Sequence, residues 1–531
     1  MDVFSLLPFI LFLVVIGTAV AERINVPYPL VLVVAGLFAG LIPGIPDWHP
    51  HGRFVLTLFL PPILFAAARL ISWDDIRDNI VEIFSLSFVL VIVKAFAIAC
   101  ILSWLIPQMN FFQALVLGAI ISPTDSIAAT SILNKLNAKK HIVRTLEIES
   151  LFNDAVSIML YKISVLFVFG GVIYLNDVTR STIFGSLGGI AIGLAFAYIT
   201  GLVIKTFLRD SENQLPIIMG LILAYISYIL AEKMGCSGVL AVCAAGLLHR
   251  SSERSLRART RLSEKASWDT YVFFLNGLIF VAIGLQLPLF IEHVKNIPTG
   301  QLILFSLVTI FTLISLRFIW IALTDLLSVW FSKKFRKREK LRRFSWRDVL
   351  ISSWSGMRGL VSLVLAMALP TEIAQNTPFP NRELIIFLTI ITIVFTLLVQ
   401  GLTLPYLVKW LQVEASDEKI SEDTDRALRH LTKLAIHHVD TTRESKPCSS
   451  GARRMVDNYY ESRLLQFRLA KEGHFEELNL NQEAENLLTN ALDYERDCLQ
   501  KMLHHGEISA EVYARITDKL DREEVGFAAY K

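Results

Sequence analysis

The chain has 531 residues, 53% of them hydrophobic and only 19% charged, with a formal net charge of +3. Soluble domains carry about 25% charged residues, so an ordinary soluble enzyme of this length is excluded. The basic excess lies in short loops, which points to membrane topology and away from nucleic-acid binding.

Thirteen apolar runs follow one another: 3–21, 27–42, 54–71, 80–106, 111–133, 147–172, 182–208, 215–231, 237–248, 270–287, 301–330, 349–369 and 384–411. A helix needs roughly 17–25 residues to cross ~30 Å of hydrocarbon. The ninth run is short, and Gly235 and Gly238 beside it predict close packing or an extension through 232–236. The first run lacks a basic leader and is followed at once by a second, so it reads as a helix and not as a signal peptide. Nothing after residue 412 is comparably apolar. The expected fold is an all-α polytopic membrane protein of about 13 transmembrane helices (1–412) with a helical cytosolic tail (413–531). The tail carries 24 acidic and 17 basic residues, against 24 and 34 in the membrane part. Cys100, Cys236, Cys243, Cys448 and Cys498 show no metal-ligand spacing, so neither a transition metal nor a cofactor is expected.

Loops after odd-numbered runs hold 22 Lys and Arg, and those after even-numbered runs hold 5. The positive-inside rule places the odd loops in the cytoplasm, the N-terminus outside and the tail inside; the expected location is the plasma membrane.

Runs 5 and 12 are broken near their centres by Ser122-Pro123-Thr124-Asp125-Ser126 and by Ser352-Ser353-Trp354-Ser355-Gly356-Met357-Arg358-Gly359. Seven runs apart, they cross the membrane in opposite directions. Two antiparallel discontinuous helices are the sequence mark of an inverted-repeat transporter with its site between them. Unwound backbone at that depth must face protein or a watery cavity.

Charges within the runs are Lys94, Asp125, Glu147, Glu149, Asp154, Lys162, Arg317, Asp325 and Arg358. Such groups are costly in hydrocarbon and mark function by default, although Lys94 and Lys162 read as structural. In Glu149-Ser150-Leu151-Phe152-Asn153-Asp154, helical spacing puts Ser150 with Asp154 on one face and Glu149 with Asn153 on another. Asp154 and Ser150 are expected to form a cation site with Thr124 and Asp125, while Glu149 needs a cationic partner, Arg317 or Arg358. Oxygen donors suit a hard alkali cation. A carboxylate removed from water disfavours its charged form, so a proton or a cation can neutralise it, but not both. That mutual exclusion, with alternating exposure, suffices for antiport.

The strings LPPILFAAA (60–68), GAIISPTDSIAATSIL (118–133), EIESLFNDAVSIML (147–160), SGVLAVCAAGLL (237–248), NGLIFVAIGLQL (276–287) and SWSGMRGLVSLVLAMALP (353–370) resemble the monovalent cation–proton antiporter family, in its sodium–proton exchanger branch. The resemblance implies exchange of Na+ (or Li+) for H+ in pH and sodium homeostasis, with K+/H+ exchange as the alternative. It implies Asp154 as the essential ion-binding carboxylate and Asn153 as its neighbour in an Asn-Asp motif typical of electroneutral members. It further implies Thr124, Asp125 and Ser150 at the cation, a Glu149–Arg317 charge pair, and Arg358 at the second crossing. A homodimer is implied, with spans 4–6 and 11–13 as a mobile core and spans 1–3 and 8–10 as the dimerisation part. Some relatives carry an acidic residue after the PPILF string, where this chain has Ala66-Ala67-Ala68.

The tail is expected to hold helices at 415–437, 452–472, 480–505 and 509–524, with His430, His437, His438, His474, His504 and His505 as ordinary surface histidines. The basic loop 333–347 serves topology or anionic lipid. An intramembrane aspartyl protease would need a GxGD motif, which neither Asp125 nor Asp154 has. A cation channel would need a filter loop in place of broken helices with countercharges.

Overall fold

Long uninterrupted apolar sequence makes helix wherever hydrocarbon leaves the backbone no other hydrogen-bond partner. The computed structural model describes residues 3–24, 26–42, 52–71, 76–77, 80–170, 175–208, 214–253, 256, 258–293, 297–334, 345–374 and 377–413, with isolated tail positions 432, 436, 458, 495, 499 and 501. The chain forms two compact units, Met1–Ala415 and Ser416–Lys531. In the second, Thr432 and Leu499 are buried. The expected tail helices and the six tail histidines lie outside the described residues.

The helices of the first unit are α1 (Val3–Arg23), α2 (Tyr28–Gly40), α3 (Gly52–Leu70), α4 (Ile80–Leu105) and α5 (Phe111–Ile121). There follow α6 (Ser126–Lys135), α7 (Lys140–Val168), α8 (Leu175–Val203), α9 (Leu215–Lys233) and α10 (Gly238–Glu253). The last are α11 (Ala258–His293), α12 (Thr299–Lys334), α13 (Trp346–Trp354), α14 (Leu360–Met367) and α15 (Arg382–Leu411). All thirteen expected runs fall on this helical framework, runs 5 and 12 each as a pair of half-helices. Among the described residues, eight helical stretches are long and apolar enough to cross a membrane, and 28–40, 56–70 and 238–251 are shorter apolar helices. Outward-facing Trp104, Phe207, Phe311, Tyr406 and Trp410 are each more than 70% exposed, as apolar side chains turned to lipid should be.

Three details depart from the sequence reading. Helices α7 and α11 begin seven and twelve residues earlier than the apolar runs suggested, because their first turns are charged and invisible to hydropathy. Residues 232–236 do not extend the ninth span: Gly235, at φ +72°, ends α9. There the Cys236 amide donates to the Ala231 carbonyl (2.8 Å) and the Gly235 amide to Glu232 (3.1 Å), the Schellman pattern. Helix α10 gains its length at the other end. Finally, the loop after α14 holds a two-stranded hairpin, β1 (Glu372–Ala374) with β2 (Thr377–Pro378).

With no hydrophobic drive between helices in lipid, close packing rests on small residues. A Cβ at Gly36 or Gly284 would strike the facing backbone at Val281 or Val33, so α2 and α11 are in backbone contact. Gly189 and Gly193 of α8 lie in the same way against Ser237 and Ala241, and Gly118 of α5 against Ala95 of α4.

Candidate functional site

The break in the fifth span begins with Pro123, which has no amide hydrogen and cannot bond the Ala119 carbonyl four residues earlier. That carbonyl is taken by the Ser157 hydroxyl of α7 (2.6 Å). The twelfth span breaks over 355–359, and the two breaks cross with the Asp125 amide donating to the Met357 carbonyl (2.8 Å).

Four half-helices therefore end in hydrocarbon, and each end needs a partner. Asp125 serves both N-termini: its Oδ1 accepts from the Ile127 amide of α6 (2.8 Å) and its Oδ2 from the Leu360 amide of α14 (3.3 Å). Arg358 serves the C-terminal sides, its Nε donating to the Ile121 carbonyl (3.2 Å) and its Nη1 to the Gly356 carbonyl. The Lys94 ammonium donates to the Ser122 carbonyl (2.6 Å). An anion sits where the helix dipoles are positive and cations where they are negative.

Glu149 accepts from both terminal nitrogens of Arg317 (Nη2 at 2.9 Å) and from the Thr124 hydroxyl (2.9 Å). Arg317 also donates to the Ser352 carbonyl from Nε (3.1 Å) and Nη2 (3.0 Å), tying α7, α12 and α13 together. Of the two arginines considered for Glu149, then, Arg317 is the one in contact. The Thr124 hydroxyl accepts from Asn153 Nδ2 (2.9 Å) while donating to Glu149. Its hydroxyl thus joins the charge pair to the cavity that Thr124 also lines.

Asp154 stands apart. It is 8% exposed, and among the described residues its carboxylate has no hydrogen-bonding or cationic partner. It lines a cavity of about 300 Å³ together with Asp125, Ser150, Thr124, Tyr28 and Asn276. Ser150 Oγ accepts from the Ser126 amide (3.3 Å). Asp125 is near enough to Asp154 to act on it electrostatically. Two carboxylates at one cavity, one fully capped and one without a partner, make a site that a cation or a proton would complete.

Comparison with known proteins gives the family. The family model described as sodium/hydrogen exchanger, transmembrane, matches residues 10–410. The chain belongs to that family. An uncharacterized Na(+)/H(+) exchanger of Mycobacterium bovis is 29% identical over 520 residues, covering 96% of this chain and 94% of its own length. A sodium, potassium, lithium and rubidium/H(+) antiporter of Bacillus subtilis is 28% identical, over 99% of this chain and 78% of its own. The solved sodium proton antiporter MjNhaP1 of Methanocaldococcus jannaschii shares the fold: TM-score 0.58 and 20% identity, covering 76% of this chain and all of that one. The protein is a monovalent cation–proton antiporter of the exchanger family.

In this exchanger the cavity is also lined by Arg69, Leu70, Glu147, Trp268 and Asp269. These residues lie at the end of α3 and in the early turns of α7 and α11. Arg144 and Arg250 both donate to the Leu70 carbonyl, at 3.0 and 2.7 Å. Buried Arg69, His249 and Glu264 cluster beside it, with Arg69 to Glu264 at 3.7 Å and His249 to Glu264 at 3.4 Å. The Arg69 guanidinium lies 5.6 Å from the Trp268 ring centre. Of these residues sequence reading singled out only Glu147, and it also missed Tyr28 and Asn276. Charged residues near a run's end look like loop, whereas Asn276 was visible as a lone amide within an apolar run.

Proposed function

We propose that the protein exchanges Na+ or Li+ for H+ one for one, with Asp154 binding the proton and the cation in alternation. The observation that carries this reading is the partnerless Asp154 carboxylate facing a cavity beside the crossing. Glu149 is occupied by Arg317, Asn153 has no acidic proton, and Asp125 is held by two helix N-termini. One carboxylate is left to titrate, so each turnover moves no net charge. Ser150 and Asp125 stand beside it as oxygen donors of the kind a hard cation takes.

The moving part is proposed to be spans 4–6 with 11–13. Its support is the set of bonds joining them: the crossing itself, Glu149–Arg317, and the Trp320 indole donating to the Ser85 hydroxyl (3.0 Å). Spans 1–3 and 8–10 would form the dimerisation part of a homodimer. A plasma-membrane location is proposed, and the loop charges support an N-terminus outside, which puts the Leu70 and Asp269 end of the cavity on the cytoplasmic side. K+/H+ exchange is the second reading, compatible with Ala66 and Ala67, which line the cavity without a carboxylate on α3.

The test is reconstitution of the purified protein into liposomes with an imposed pH gradient, followed by addition of NaCl, LiCl or KCl. The reading expects Na+ and Li+ to dissipate the gradient. Dissipation by K+ alone would replace it with the second reading, and dissipation by none would overturn both.

A further inference from the structure

Opposite the two carboxylates, the cavity wall belongs to α2, α3 and α11. Helix α3 offers mostly carbon near the crossing: Leu60, Ile63, Leu64, Ala66 and Ala67. The polar groups there come from the other two helices, Tyr28 at the start of α2 and Asn276 in the middle of α11. Neither belongs to a broken span, and nothing derived so far uses them.

Asn276 is 2% exposed, and its amide oxygen has no hydrogen-bond partner. A buried acceptor left unmatched is costly, and native structures retain few of them without a reason. Asn276 lines the same cavity as Tyr28 and the Asp125 carboxylate. The placement follows from helical spacing: Phe273, Asn276 and Phe280 share one face of α11. The Tyr28 ring packs against both phenylalanines, with centroids 5.3 and 6.5 Å away. The backbone contact of α2 with α11 at Gly36 and Gly284 fixes the helices that carry the two side chains. Together these place two rigid, uncharged polar side chains on a cavity that two carboxylates also line.

We infer that Asn276, with Tyr28, supplies neutral oxygen ligands to the transported cation from the wall opposite Asp154 and thereby sets which alkali cation is preferred. This rests on the exchange reading given above and deepens it. A hard cation leaving water needs several oxygens, and the amide oxygen is an uncommitted one at the cavity. Amide and hydroxyl dipoles exert a weaker field than a carboxylate, and ligand field strength is one determinant of discrimination among alkali cations. In place of the acidic residue that α3 lacks, this pair would leave larger, more easily dehydrated ions less disfavoured.

The experiment uses the full chain in proteoliposomes and measures the apparent KM and maximal rate for Li+, Na+, K+ and Rb+. Asn276→Ala is expected to raise the apparent KM by roughly tenfold while changing the maximal rate by less than about twofold. Asn276→Asp, which strengthens the field, is expected to shift preference toward Li+ and Na+ over K+ and Rb+. Tyr28→Phe keeps the ring packing and removes only the hydroxyl, so it serves if the Asn276 variants do not fold. It should raise KM severalfold. Cation-dependent thermal stabilisation in detergent reads binding independently of transport. Unchanged KM values and an unchanged cation order in active, folded variants overturn the inference. A wild-type protein that exchanges no cation overturns the functional reading instead, so the two failures are distinguishable.

Discussion

The Glu149–Arg317 pair offers the sharpest test of how the core is held. Arg317 and Glu149 are 1% and 2% exposed, and two guanidinium nitrogens meet two carboxylate oxygens. Removing one partner of such a pair leaves an uncompensated buried charge and costs about 3–5 kcal/mol. At roughly 2.1 cal/mol/K of unfolding entropy per residue, that lowers the Tm of a unit of this size by about 3–6 °C. Arg317→Met should cost more than Glu149→Gln, because it also strips two donors from the Ser352 carbonyl. The double replacement Glu149→Gln with Arg317→Met should cost about 1–3 kcal/mol less than the two single changes combined, since neither charge is then stranded. Thermal unfolding of the purified protein in detergent, monitored by tryptophan fluorescence, measures all four forms. Additive losses would refute the argument, because they would mean the two charges do not depend on one another.

Other consequences follow from the same geometry. A Cβ at Gly359 would fall on Asp125 Oδ2, so Gly359→Ala should push the carboxylate off the Leu360 amide and lower exchange at least about tenfold. Wild-type rates in that variant would mean that the double cap is dispensable. Competition of proton and cation for one carboxylate predicts an apparent cation KM that worsens by up to about tenfold per pH unit on the acid side of the site's titration. A KM independent of pH between 6 and 9 would rule the competition out. One-for-one exchange predicts a rate indifferent to a valinomycin-clamped potential, and a steady current on a supported membrane would show a second titrating group. Lys162 and Glu232, at 2.9 Å, are 52% and 33% exposed, so Lys162→Met should change stability by less than about 1 kcal/mol.

How much of this was legible in the sequence depended on whether a residue's reason was local. The two crossings were visible because Pro123 and the Gly356 to Gly359 segment cannot continue a helix, whatever surrounds them. The Glu149 and Asp154 faces followed from a 100° turn per residue, and that spacing separates the paired carboxylate from the partnerless one. Partner choice was less legible. Spacing left Arg317 and Arg358 equal candidates for Glu149, and only the crossing shows Arg358 held by the Ile121 and Gly356 carbonyls. Thr124 shows the same limit: its neighbours in sequence pointed to the cavity, which it lines, but not to the bonds its hydroxyl makes with Glu149 and Asn153. The charged first turns of α7 and α11 were read as loop, because hydropathy reports lipid and not helix. Tyr28 and Asn276 come from helices 248 residues apart in sequence, and no local pattern announces that they meet.

The account's central claim is that Asp154 is the group shared by proton and cation. Its most direct test is proton flux driven by addition of NaCl to proteoliposomes holding a preset pH gradient, with wild-type protein compared with Asp154→Asn. The asparagine is nearly isosteric and leaves the Glu149–Arg317 pair and the Asp125 caps in place, so the variant should purify as a folded protein. The account predicts rapid dissipation of the gradient by the wild type and none above protein-free liposomes by the variant. Flux from Asp154→Asn near the wild-type rate would contradict it.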